Sequence, residues 1–172
     1  MKAVLATIGH DRPGLVGELA ELVASLGLNV TDSRMTVLGG EFAVLMSVDG
    51  ASEAVATLET RLASYCESAD LAHLFRTTQE RRAASASQVR VSVSAMDHPG
   101  IVSQVAGFFA RRALNIANLQ THVGVAAHTG TPTFDLELDL ELPADSDASA
   151  LAEAFQAFCD EADLDGSWVS AN

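Results

Sequence analysis

The chain has 172 residues, 48% of them apolar and 19% charged, which is enough apolar material for a folded core and excludes disordered, collagen-like, coiled-coil and disulfide-scaffold classes. Ten Lys and Arg stand against 23 Asp and Glu, a formal net charge of -13. Bare nucleic acid and anionic lipid are bound by neutralising phosphates, so direct binding of either is disfavoured and a role near DNA requires a protein partner. The two cysteines, Cys66 and Cys159, form no Cys-x-x-Cys pair and no zinc-type spacing with histidine. A metal-free, cofactor-free chain in a reducing cytoplasm is the expectation.

The N-terminal run from Met1 to Asp11 carries one basic residue and is too short and too soon interrupted for a secretory signal or a membrane span. It reads as a strand, and Val4, Leu5, Ala6 and Ile8 are apolar on both faces, so this strand is expected to be covered on both sides. Asp11-Arg12-Pro13-Gly14-Leu15-Val16 follows and is echoed about 86 positions later by Asp97-His98-Pro99-Gly100-Ile101-Val102. Leu15, Val16, Leu19, Leu22 and Val23 then match Ile101, Val102, Val105, Phe108 and Phe109, one apolar helical stripe in each copy. Gly27-Leu28-Asn29-Val30 and Ala113-Leu114-Asn115-Ile116 end these helices with their asparagines in register.

A second strand is expected from Asn29 to Leu38, a turn at Gly39-Gly40, and a third strand from Glu41 to Val48. A helix over Ser52 to Ser68 presents Val55, Leu58, Leu62 and Tyr65 on one side, and a short strand over Leu71 to Thr77 ends the first copy. In the second copy Val89, Val91 and Val93 alternate with Arg90, Ser92 and Ser94, a strand with one polar face. An insertion of about six residues lengthens the connection from Val123 to Pro132, at little entropic cost. A strand from Phe134 to Leu142, a helix from Asp147 to Ala162 carrying Leu151, Ala154, Phe155 and Phe158, and a strand near Ser167 to Ser170 complete it.

The order β-α-β-β-α-β, twice, is the split βαβ arrangement: an α+β chain of two tandem ferredoxin-like domains, each an antiparallel sheet with helices on one face. Residues 1–78 form the first domain, 79–88 a linker almost free of large apolar side chains, and 89–172 the second. Units this small lean on a neighbour, so the copies are expected to pack together or the chain to form a homo-oligomer.

The loop before each first helix recurs with its chemistry intact. Gly permits close approach of a ligand, Pro suits the first helical turn, and the unpaired N–H groups of the helix start favour a carboxylate. Asp11 and Asp97 could hold an ammonium, and Asn29 and Asn115 offer both donors and acceptors. Together these groups match a free α-amino acid. The candidate ligand-binding residues are Asp11, Arg12, Pro13, Gly14 and Asn29, with Asp97, His98, Pro99, Gly100 and Asn115 in the second copy. The plainer alternative is that each Asp caps its helix and each Asn serves as a left-handed turn residue.

These motifs resemble the ACT domain, the small amino-acid-sensing module of metabolic regulation, over nearly the whole chain outside the linker. Asn29-Val30-Thr31-Asp32-Ser33-Arg34-Met35 and Leu38-Gly39-Gly40-Glu41-Phe42 further resemble the glycine cleavage system transcriptional repressor family. The resemblance implies a non-enzymatic regulator that responds to a small amino acid, glycine above others, and binds a transcriptional activator rather than DNA. It also implies a ligand near the Pro-Gly loop at an interface between domains, touched by Asp11 and Asn29 or by Asp97 and Asn115. Some serine-binding ACT sites carry a histidine four residues before the Pro, where this chain has Gly9 and Ala95, so a smaller or differently held ligand is implied. A regulatory subunit of a metabolic enzyme is the alternative.

The strand Phe134 to Leu142 puts Asp135, Glu137, Asp139 and Glu141 on one face, about 7 Å apart and too far apart for one cation. A solvated face, or one that meets a basic partner, is expected. His10, His73, His98, His122 and His128 carry no catalytic or metal motif, and Cys66 and Cys159 read as small core hydrophobes.

Overall fold

The computed structural model describes residues 1–79, 87–125 and 130–170. Its elements run β1 (Lys2–His10), α1 (Leu15–Ser25), β2 (Asn29–Leu38), β3 (Glu41–Asp49), α2 (Ser52–Ser68) and β4 (Leu71–Thr78), then β5 (Ser87–Met96), α3 (Ile101–Ala110), β6 (Asn115–Val125), β7 (Pro132–Leu142), α4 (Ala148–Glu161) and β8 (Asp165–Ser170). The β-α-β-β-α-β order is present twice, and the chain divides into units 1–81 and 82–172. Most of the linker expected over 79–88 lies outside the described residues, and its last two positions belong to β5.

Each unit is one antiparallel sheet, in the order β2-β3-β1-β4 and β6-β7-β5-β8. Period-two burial does the work in the strands. Ala3 and Leu5 of β1 and Phe42, Val44, Met46 and Val48 of β3 point to one side, where Leu15, Leu19 and Val23 of α1 and Val55, Leu58, Leu62 and Cys66 of α2 cover them. The second unit repeats this with Val89, Val91 and Val93 and the leucines of β7 beneath Ile101, Val105, Phe108, Phe109, Phe155 and Cys159. Each such large side chain contributes about 1.5–3 kcal/mol by leaving water. Thr7 is the polar exception: its hydroxyl is buried without a hydrogen-bond partner among the described residues, where the second unit has Val93.

Gly39 and Gly40, at φ 61° and 91°, form the two-residue turn between β2 and β3, as the Gly-Gly signal predicts. A bulge recurs in both edge strands, between Val30 and Asp32 and between Ile116 and Asn118. Such an extra residue twists an edge and blunts it as a template for further pairing.

Several expectations are corrected. β1 is not covered on both sides by its own unit: Ile8 stays half exposed, and among the described residues no second layer of helices of that unit lies over it. The ladder enters both ends of the connection expected over Val123 to Pro132, running through Gly124 opposite Thr133 and Val125 opposite Pro132. β8 starts at Asp165 rather than Ser167, since Ser94 and Val93 of β5 offer it partners that far. Pro13 and Pro99 precede their helices instead of opening them; Gly14 and Gly100 are the capping positions. Val16 and Val102, placed on the buried stripe by period, sit at its edge and remain partly exposed.

Candidate functional site

The loop after each first strand leaves the sheet in the same way. Asp11 N–H donates to Gly40 O at 3.1 Å, and Asp97 N–H donates to Pro132 O at 3.1 Å. The chain then turns through a left-handed glycine, Gly14 at φ 99° and Gly100 at φ 105°, a conformation that side chains with a Cβ resist. Glu18 N–H returns to Gly14 O at 2.9 Å and Gln104 N–H to Gly100 O at 3.0 Å, closing the first helical turn. The N–H groups of Leu15, Val16 and Gly17, and of Ile101, Val102 and Ser103, lie ahead of any intrahelical acceptor. Among the described residues no side chain caps either helix. Asp11 and Asp97 are exposed and do not act as N-caps, which removes the plainer alternative for them.

The two loops then diverge. In the first, Arg12 donates from Nη1 to Glu18 Oε1 at 2.5 Å and from Nη2 to Oε2 at 2.7 Å, a two-pronged pair across the Pro-Gly turn. Tyr65 of α2 donates its hydroxyl to the same Oε2 at 2.8 Å. Arg12, and then Tyr65, hold the Glu18 carboxyl down at about 2. Burial, reinforced by the Glu18 charge, pushes the Tyr65 phenol up to about 12, so it remains a donor. The equivalent residues of the second loop are His98, Gln104 and Phe158, which cannot form this clasp. His98 turns its Nδ1 to Pro99 O at 3.2 Å, and Phe158 stacks on Phe108 at 4.8 Å. An open depression of ≈ 520 Å³ lies against the second loop, lined by residues 97–103 and Phe134. Glu18, Tyr65 and Phe134 escape motif reading. Comparing the repeats position by position, Arg12, Glu18 and Tyr65 against His98, Gln104 and Phe158, would have shown the first two.

The structure brings Asp11, Arg12, Pro13 and Gly14 together, and likewise Asp97, His98, Pro99 and Gly100. It does not bring the asparagines of the same unit to them. The first loop follows His10, opposite Glu41, whereas Asn29 lies opposite Asp49 at the far end of β3. Eight residues of strand separate the two places, about 26 Å at 3.3 Å per residue. The second unit is the same: Met96 lies opposite Thr133, and Asn115 opposite Glu141, to which its amide donates at 2.9 Å. The cause is topological, since a helix leading back from the loop delivers the chain to the other end of the sheet. Nor are these asparagines left-handed turn residues. Gly27 at φ 68° and Ala113 at φ 56° take that role.

The remaining candidates separate cleanly. Among the described residues no three His, Cys, Asp or Glu side chains gather as a metal site. His128 lies outside the described residues. The carboxylates of β7 spread along one face, Asp135 accepting from Ser94 at 2.6 Å and Asp139 from Arg90 at 2.9 Å. Arg90 draws the Asp139 carboxyl below its ordinary value. Cys66 and Cys159 are fully buried free thiols, and burial, more than the nearby Asp160 and Asp165, pushes Cys159 up to about 11. No helix among the described residues is long and apolar enough to cross a membrane.

Comparison with known proteins places this geometry. Residues 2–76 match the ACT domain, and residues 91–138 match the AHAS small subunit-like ACT domain. A glycine cleavage system transcriptional repressor of Escherichia coli (strain K12) is 31% identical over 165 residues, which cover 95% of this chain and 87% of the relative. The crystal structure of a protein proposed to be such a repressor superposes with a TM-score of 0.77 at 27% identity, covering 99% of this chain and 97% of that one. A protein from Galdieria sulphuraria shares the fold with a TM-score of 0.79 at 22% identity, over 99% and 98% of the two chains. The chain is thus a regulatory protein of two tandem ACT domains and belongs to the glycine cleavage system transcriptional repressor family.

Proposed function

We propose that this chain is a non-enzymatic regulator in a reducing cytoplasm, responsive to a small amino acid with glycine favoured, that controls glycine cleavage genes by contact with a transcriptional activator. The observation that carries this is the helix start at each Pro-Gly loop, whose N–H groups no side chain caps among the described residues. A ligand carboxylate suits those groups, and Asp97 stands beside the open depression as the partner for its ammonium. The amide of Asn29 or Asn115 does not reach the loop of its own unit, so a ligand that touches both a loop and an asparagine lies at an interface between domains, of one chain or of two copies. The net charge of -13 supports action through a protein rather than through DNA.

Calorimetry tests the sensor reading. Glycine, serine or alanine should give heat, and Asn29→Ala or Asn115→Ala should weaken binding by about 1–3 kcal/mol, since a ligand group then loses its partner. Silence with all twenty amino acids removes the reading, and unchanged affinity in both variants removes the asparagines from the site.

A second reading, a regulatory subunit for a metabolic enzyme, is favoured by the match of residues 91–138 to the AHAS small subunit-like ACT domain. Affinity capture separates the two. Recovery of a helix-turn-helix activator supports the first and recovery of an enzyme the second.

A further inference from the structure

The helix-free faces of the two sheets occupy equivalent positions and have opposite chemistry. In the first unit, register pairs Ile8 with Ala43 on β3 and with Ala72 on β4. Two residues along, Ala6 pairs with Leu45 and with Leu74. The six form a chequerboard: small, large, small on one rung and large, small, large on the next. Ile8, Leu45 and Leu74 are 51%, 53% and 71% exposed. In the second unit the same six places are Ser94, Asp135 and Asp165 on one rung and Ser92, Glu137 and Ser167 on the other. The two units share one strand order and bury the same face of the sheet, so the fold does not demand the apolar set. A solvated face would have no use for it.

The geometry points to the helix-free face of the first sheet as the interface of a homodimer, covered by the same face of a second copy. A two-fold axis lying between the sheets, parallel to the rungs and midway between those of Ile8 and Ala6, sets each rung on the other. Ile8 then meets the partner's Ala6, Leu45 meets the partner's Ala43, and Leu74 meets the partner's Ala72. Every large side chain faces a small one, the self-complementarity that an isologous contact requires. The chequerboard is flanked by charge, Glu41 and His10 at one end, Arg76 and Asp32 at the other, and Arg34 beside Leu45 on the edge strand, an apolar centre with a polar rim. The size also suits. Four strands at about 4.8 Å and nine residues at about 3.3 Å give a face of roughly 19 by 29 Å. Covering it removes on the order of 600–800 Å² per copy, what a stable pair needs.

Sedimentation velocity on the full chain is the test. The wild type should sediment at twice the 18.0 kDa chain mass. Leu74→Asp should give a monomer, and Ala6→Leu, which sets leucine against the partner's Ile8, should raise the dissociation constant at least about tenfold. The double variant Ala6→Leu with Ile8→Ala exchanges knob and hole and should restore the dimer. Ser92→Asp on the second sheet should change nothing. Far-UV dichroism and thermal unfolding confirm that each variant is folded. A wild type that stays monomeric to about 1 mM overturns the proposal. So does a dimer indifferent to both Leu74→Asp and Ala6→Leu, or a double variant no better than Ala6→Leu alone.

Discussion

Arg12, Glu18 and Tyr65 make the first Pro-Gly loop a different chemical object from the second. Two guanidinium donors and a phenol converge on one carboxylate, so Glu18 titrates at about 2 instead of 4.5. A depressed carboxyl stabilises the fold fully above its ordinary value, and that contribution disappears as pH falls through about 2. Carbon-13 NMR should therefore place the Glu18 midpoint near 2, and Tyr65→Phe should raise it by removing one donor. Glu18→Gln should lower thermal stability at pH 7 by an amount that vanishes at the acid end. Since the pair is solvent-exposed, that loss is small. An unshifted midpoint would show that the clasp does not persist in solution.

Among elements, the helix starts depend on a single backbone conformation. A Cβ on Gly100 would meet nothing closer than Gln104 Nε2 at 3.7 Å, so space does not forbid Gly100→Ala; the left-handed φ does. The expected cost is about 1–2 kcal/mol. Gly17→Ala, in the body of α1 with nothing within 4 Å of the new methyl, should instead gain about 0.5–1 kcal/mol. Urea midpoints compare the two, and equal effects would refute the backbone argument. The elements themselves were legible. Val55, Leu58 and Leu62 mark α2, Gly39-Gly40 marks its hairpin, and the echo of Asp11-Arg12-Pro13-Gly14 in Asp97-His98-Pro99-Gly100 gives the duplication. Distance was not. Asn29 follows α1 closely in the chain, yet strand register puts it at the far end of the sheet from Asp11, and register belongs to the pairing of β3 with both neighbours. Ile8 was misread for a related reason: alternation shows that a strand has two apolar faces but not what, if anything, lies over the second.

For the molecule as a whole, duplication preserved the interior and released the surface. Each unit has its own core, the second the richer in phenylalanine, with Phe108, Phe109, Phe155 and Phe158 joined in one cluster of ring contacts. The acidic residues were spent differently too, since the helix-free face of the second sheet carries Asp135, Glu137, Asp139 and Glu141. Separate cores imply separate cooperative transitions. Each core also encloses one thiol at the same place in its second helix, Cys66 and Cys159, and burial raises the pKa of both. A thiol-specific dye can reach either sulfur only when that half opens, so labelling Cys66→Ala and Cys159→Ala along a urea series should trace two distinct opening curves. Coincident curves would mean one cooperative block. Nature has in effect fitted each half with its own tamper seal, and reading them requires no inserted tag or added cysteine.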